Sequence, residues 1–82
     1  MVNINDVIAA INNTRIIEFQ YTDSKGELSF RTGEPYEIRR GPTTDIFVFD
    51  VEKQEIRRFK AMRMSDLKIT AEEFMPRFDL KP

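Results

Sequence analysis

Ile4, Val7, Ile8 and Ile11 fall at i, i+3, i+4 and i+7, which places them on one stripe of an α-helix. Asn3 stands where an N-cap side chain takes up a free backbone N–H, and Asn12-Asn13 supplies a C-terminal stop. The pattern predicts one short helix over Ile4 to Ile11, with Ile8 and Ile11 buried. Beyond Thr14 the period changes to two. Ile17, Phe19 and Tyr21 alternate with Glu18 and Gln20, as in a strand with one buried face, and Asp23-Ser24-Lys25-Gly26 reads as a hairpin turn.

A second extended stretch runs from about Glu27 to Arg39, with Leu28 and Phe30 on one side and Ser29 and Arg31 on the other. Gly33 and Pro35 interrupt it and predict a bulge or bend, because glycine weakens a strand and proline cannot donate to the ladder. Ile46 to Val51 is apolar on both faces, as in a central strand covered on both sides, and the helix is expected to supply cover. Ile56 to Ala61 reads as a fourth strand and Ala61 to Ser65 as a single helical turn. Leu67 to Thr70 reads as a last short strand, and Ala71 to Phe74 with Pro76 as a terminal turn. One helix followed by about five short strands, with no crossover helices, predicts a mainly β (α+β) fold. The expected form is a small SH3-like or Sm-like antiparallel barrel, with the helix over one opening and one domain spanning residues 1–82.

Composition removes much chemistry at once. The 82 residues are 40% apolar and 33% charged, a globular balance, and contain neither Cys nor His. Thiolate nucleophiles, histidine bases, disulfides and Cys/His zinc sites are excluded, and Ser24, Ser29 and Ser65 have no histidine to activate them. Asp45, Asp50, Glu52 and Glu55 cluster around one hairpin but match no calcium-loop spacing. No catalytic residue, metal or cofactor is assigned. No basic leader or long apolar run appears, so a cytoplasmic protein without membrane contact is expected.

The net charge of −1 conceals an asymmetry. Between Ile56 and Lys68, Arg57, Arg58, Lys60, Arg63 and Lys68 face only Asp66, giving +4. The other eight basic and thirteen acidic residues give −5. Such a split fits either a local anion site or a solvated face.

That basic segment, Arg57-Arg58-Phe59-Lys60-Ala61-Met62-Arg63-Met64, with Phe74, Pro76 and Arg77 beyond it, resembles the C-terminal signature of the WYL domain. There a strand reading roughly Arg-x-Phe-Arg-Leu-x-Arg-Ile precedes a short strand and a Phe-x-Pro-Arg tail. Ile17-x-Phe19-x-Tyr21 is similar to the family's first strand, and Arg31-x-x-x-Pro35-x-x-Ile38 to its Arg-x-Val-x-Pro-x-x-Leu stretch. The likeness extends from about Ile4 to Phe78. The tripeptide Trp-Tyr-Leu is here Ile46-Phe47-Val48, Lys60 stands where arginine is usual, and Ala61 and Met64 replace larger or β-branched apolars.

The resemblance implies a barrel with a basic groove, of the kind found in bacterial transcription regulators and phage-defence proteins. It also implies a non-enzymatic, ligand-sensing regulatory role. The attached DNA-binding module usual in the family is expected to be missing, since the chain before Ile17 has room for one helix only. The candidate ligand-binding residues are Arg31, Phe47, Arg57, Lys60 and Arg63, for single-stranded nucleic acid or a nucleotide-like anion. The other readings open here are a solvated strand position for Arg31, internal pairing of Arg57 and Arg63 with Glu18, Glu34 or Glu37, a plain outer face for Arg58 and Lys60, and core packing for Phe47 and Tyr21. The alternative function is a protein–protein interaction or oligomerisation subunit of a larger regulator. A dimer is expected, because strand edges lack cover and Ser29 and Thr32 are weak gatekeepers.

Overall fold

The computed structural model describes residues 1–78, and the end of the expected domain, residues 79–82, lies outside the described residues. Helix α1 (Ile4–Asn12) is followed by strands β1 (Arg15–Thr22), β2 (Leu28–Arg40), β3 (Thr44–Asp50) and β4 (Glu55–Lys60), a 3₁₀ turn (Ala61–Arg63) and β5 (Met64–Glu73). The strands form one sheet in the order β4-β3-β2-β1-β5, every neighbouring pair antiparallel. The fold is mainly β with one short helix, as the periodicities predict. The sheet is not closed by β4–β5 hydrogen bonds, so barrel describes it only loosely.

Asn3 caps α1 by accepting from the Asn5 N–H at 2.9 Å, and Asn13 ends it. The helix packs on β1 and β2, inserting Val7 and Ala10 among Ile17, Phe19, Ile46, Val48, Phe59 and Met64. Ile4 and Ile11 are partly buried against this core, whereas Ile8, expected inside, is 38% exposed. At about 100° per residue Ile8 lies a quarter-turn round from Val7, on the flank of the docked arc rather than at its centre.

The irregularity in β2 falls between Pro35 and Glu37, where Tyr36 is the extra residue, so the fully buried Pro35 sits beside a break in the ladder. Gly33 has a different reason for being glycine. It stays in register with Ile17 and Asp50, and a Cβ there would lie 2.5 Å from the Phe49 carbonyl oxygen. β5 is longer than expected: Ala71–Glu73 continues the strand instead of turning, with Glu73 opposite Arg15 and the Phe74 N–H donating to the Thr14 carbonyl at 2.9 Å.

The outer face of β3 is covered by something other than α1. After β5 the chain runs back so that Phe74 and Phe78 pack on Tyr36, and Phe78 on Phe49, at ring separations of 5.4–5.5 Å. Arg77 places its guanidinium 4.4 Å from the Phe49 ring centre. No helix among the described residues is long and apolar enough to cross a membrane.

Candidate functional site

At one end of the sheet's inner face, Phe59 meets Phe19 and Tyr21 edge-on, with ring centres 5.1 and 4.9 Å apart. Arg31 lies opposite Phe19 in the β1–β2 register and stands 5.6 Å from the Phe59 ring, on the core side of the sheet. Its sequence neighbours Leu28 and Phe30 are exposed, so the faces of β2 are reversed from a simple apolar-in reading. The charge is tolerated because Arg31 Nη1 donates to Asp50 Oδ2 at 3.1 Å and Nε to Ser29 Oγ at 3.2 Å. Asp50, almost fully buried, also accepts the Glu52 and Lys53 N–H groups at Oδ1 and so holds the β3–β4 turn.

Arg57 shares this face, opposite Val48, and pairs with Glu55 two residues away at 3.1 Å. Both members of that pair are well exposed, so water and salt screen it and a phosphate can compete for the guanidinium. Arg63 is partly buried and donates from Nη1 to the Asp23 carbonyl at 2.9 Å; it has no carboxylate within 4.0 Å among the described residues. It precedes Met64, the cross-strand partner of Tyr21. Tyr21 Oη in turn accepts the Lys60 N–H at 3.1 Å, tying β1 to the end of β4 where the sheet is open.

The remaining two candidates face the other way. Phe47 lies on the outer side, opposite Glu37 and Arg58, with the Arg39 and Arg58 guanidinium groups 4.7 and 5.5 Å from its ring centre. Lys60 lies opposite Asp45 and is exposed. Beneath this side run three nearly buried carboxylates, each with its own arginine: Glu34 with Arg77, Glu37 with Arg39, and Asp45 with Arg58. Burial pushes the Asp45 carboxyl up, but hydrogen bonds from Arg58 and Thr43 outweigh it and leave its pKa below the ordinary value. The Tyr36 phenol donates to Glu34 at 2.6 Å; burial and that bond to a carboxylate raise its pKa. The hydrogen bond to Glu34 raises the Arg77 pKa further.

Three of the acids around the β3–β4 hairpin, Asp45, Asp50 and Glu55, are thus engaged with arginines or turn N–H groups, and among the described residues no cluster of three or more acids is placed to hold a metal ion. The basic excess of the 56–68 segment is also smaller in space than in sequence. Arg57 and Arg58 are paired with Glu55 and Asp45, both outside that segment, while Lys60, Arg63 and Lys68 form no ion pair among the described residues.

A family model described as the WYL domain matches residues 2–69, which contain the whole inner-face cluster. The chain belongs to the WYL domain family. A search of curated proteins found no match. Membership assigns this WYL domain, in general terms, to regulatory ligand-sensing modules, a class that is generally not catalytic.

Of the five candidates, Arg31 and Arg57 lie on the face of the sheet that carries Phe59, Arg63 reaches the Asp23 carbonyl at the β1–β2 turn, and Phe47 and Lys60 lie on the outer face. Reading by alternation makes Arg31 a solvated strand residue when it is not a ligand contact, and misses Asp50, nineteen residues away, as the carboxylate that holds it. An aspartate at the head of a turn was the available signal, since it is the usual acceptor for the next N–H groups.

Proposed function

We propose that this WYL domain is a non-enzymatic regulatory binding module that recognises single-stranded nucleic acid or a nucleotide-like anion at the inner-face cluster of Arg31, Arg57 and Arg63. The observation that carries the reading is Arg63: a partly buried guanidinium whose assigned bond is to a neutral carbonyl, with no carboxylate neutralising it. An anion supplies the missing countercharge, and the partly exposed ring of Tyr21, which packs edge-on against the buried Phe59, offers apolar surface to a base. Arg57 contributes through its weakly held exposed pair. Arg31, held by Asp50, contributes the donors not used internally.

The test is a fluorescence titration with a labelled single-stranded oligonucleotide at several salt concentrations. Two or three phosphate contacts give a log–log slope of about −1.4 to −2.1, since each releases condensed counterions. Arg63→Ala is expected to weaken binding and reduce the slope by about 0.7, whereas Arg40→Ala, remote from the cluster, changes little. Absence of binding at low salt up to about 100 μM, or equal losses from the two substitutions, overturns the proposal.

A second reading, an interaction or oligomerisation subunit of a larger transcriptional or phage-defence regulator, is favoured by a different observation: β4 and β5 both end the sheet unpaired, and Leu28 and Phe30 stand in solvent on the outer side of the β1–β2 hairpin.

A further inference from the structure

The expected gatekeepers Ser29 and Thr32 lie on the part of β2, residues 28–32, that pairs with β1 alone, the β3 ladder beginning at Gly33; the strands that end the sheet are β4 and β5, at opposite ends of the strand order. Their charges are opposite. Arg57, Arg58 and Lys60 against Glu55 leave β4 at +2, and Asp66, Glu72 and Glu73 against Lys68 leave β5 at −2. Adding the acid beneath Arg58 (Asp45) and the base beside Glu73 (Arg15) reduces these to +1 and −1 without changing either sign. Like edges therefore repel: β4 against β4, or β5 against β5, brings same-sign rows together. Only β4 against β5 is attractive.

Each edge also offers one exposed apolar side chain, Met62 just past the end of β4 and Ile69 within β5. Both edges are partly blunted. The Tyr21 hydroxyl already occupies the Lys60 N–H, and two register shifts with a positive φ at Asp66 bend β5.

From this charge pattern we infer that the WYL domain associates with a second copy of itself head to tail, the β4 edge of one copy against the β5 edge of the next. The inference rests on the interaction reading and not on the anion site. A contact between two different edges leaves one of each free at the ends, so it propagates into a ring or a filament rather than stopping at a symmetric dimer. Blunted edges and exposed charges make it weak and salt-sensitive, with association in the range of tens to hundreds of micromolar.

Sedimentation velocity on the full chain, at about 50 mM and about 500 mM salt, tests it without nucleic acid. The expected result is concentration-dependent association at low salt that weakens at least about tenfold at high salt. Arg57→Glu with Lys60→Glu turns β4 from +2 to −2, and Glu72→Lys with Glu73→Lys turns β5 from −2 to +2. Each doubly substituted protein alone is expected to be monomeric. An equimolar mixture is also informative, because the first carries two acidic edges and the second two basic ones: association returns on mixing and continues past a 1:1 pair, since the altered edges are also of opposite sign. Circular dichroism melts confirm that both are folded, and if the β4 variant is not, the Glu72/Glu73 variant and the salt series still decide.

A strict monomer at high micromolar concentration and low salt overturns the inference, as does association indifferent to salt or to the Glu72/Glu73 change. With both variants folded, a mixture that stays monomeric overturns the head-to-tail geometry. The two proposals fail separately: Arg63→Ala lowers oligonucleotide affinity and leaves assembly intact, and the Glu72/Glu73 change does the reverse.

Discussion

Asp50 shows how one side chain serves two levels of organisation. One oxygen closes the β3–β4 turn on the Glu52 and Lys53 N–H groups, and the other holds the Arg31 guanidinium on the core side of the sheet. Asp50→Asn keeps an acceptor for the turn but removes the charge facing Arg31. With Arg31 mostly buried, the loss in urea denaturation is expected at about 2–3 kcal/mol, below the range for a fully buried pair because Arg31 retains some access to water. A change under about 0.5 kcal/mol would show the pair to be energetically idle. The same substitution frees Arg31 donors, so oligonucleotide affinity is expected to rise at the cost of stability.

At the scale of elements, α1 docks through Val7 and Ala10 rather than through the flank that carries Ile8. Val7→Ala is expected to cost about 2 kcal/mol by leaving an unfilled space between helix and sheet. Ile8→Ala, at a position already more than a third exposed, is expected to cost under about 1 kcal/mol, part of it offset by the higher helix propensity of alanine. Chemical denaturation of the two variants ranks them directly, and the opposite order would mean that the helix sits rotated by about a quarter-turn. The tail after β5 is a second covering element. Its aromatic rings and Arg77 close over Tyr36, Phe49 and Glu34, which is how an apolar-on-both-faces strand is satisfied with a single α-helix among the described residues.

For the whole molecule, the notable feature is that its nearly buried acids are matched by arginines, and no buried side-chain polar atom among the described residues lacks a partner. This makes stability depend on acid in a definite direction. The folded Asp45 carboxyl titrates below its ordinary value of 3.8, so the unfolded chain takes up its proton first as pH falls. The stabilisation from Asp45 is complete well above 3.8 and is lost as pH drops below that value through the folded pKa. Denaturation midpoints measured from pH 7 down to about 2.5 are expected to fall less steeply for Asp45→Asn than for the unsubstituted protein in this acid range. Parallel curves would show that Asp45 contributes nothing to the acid slope.

The helix, the hairpin turns, the break in β2 and the family were legible in the sequence because each depends on neighbours a few residues apart: a 3.6 or 2.0 period, an Asn cap, a proline that cannot donate, a run of spaced motif residues. The sequence by itself also excluded thiol and histidine chemistry, since no folding can place residues that are absent. What only the tertiary structure decided was the sidedness and partnership of charge. Arg31 turned inward because Asp50, nineteen residues away, lies within reach across the sheet, while Leu28 and Phe30 were left in solvent. Arg57 and Arg58 lost their apparent freedom to Glu55 and Asp45, and Arg63 kept its freedom because its reach ended at a carbonyl. Alternation along a strand says which residues share a face, but which face is the interior, and which ion pairs form on it, depends on strands brought together from distant parts of the chain.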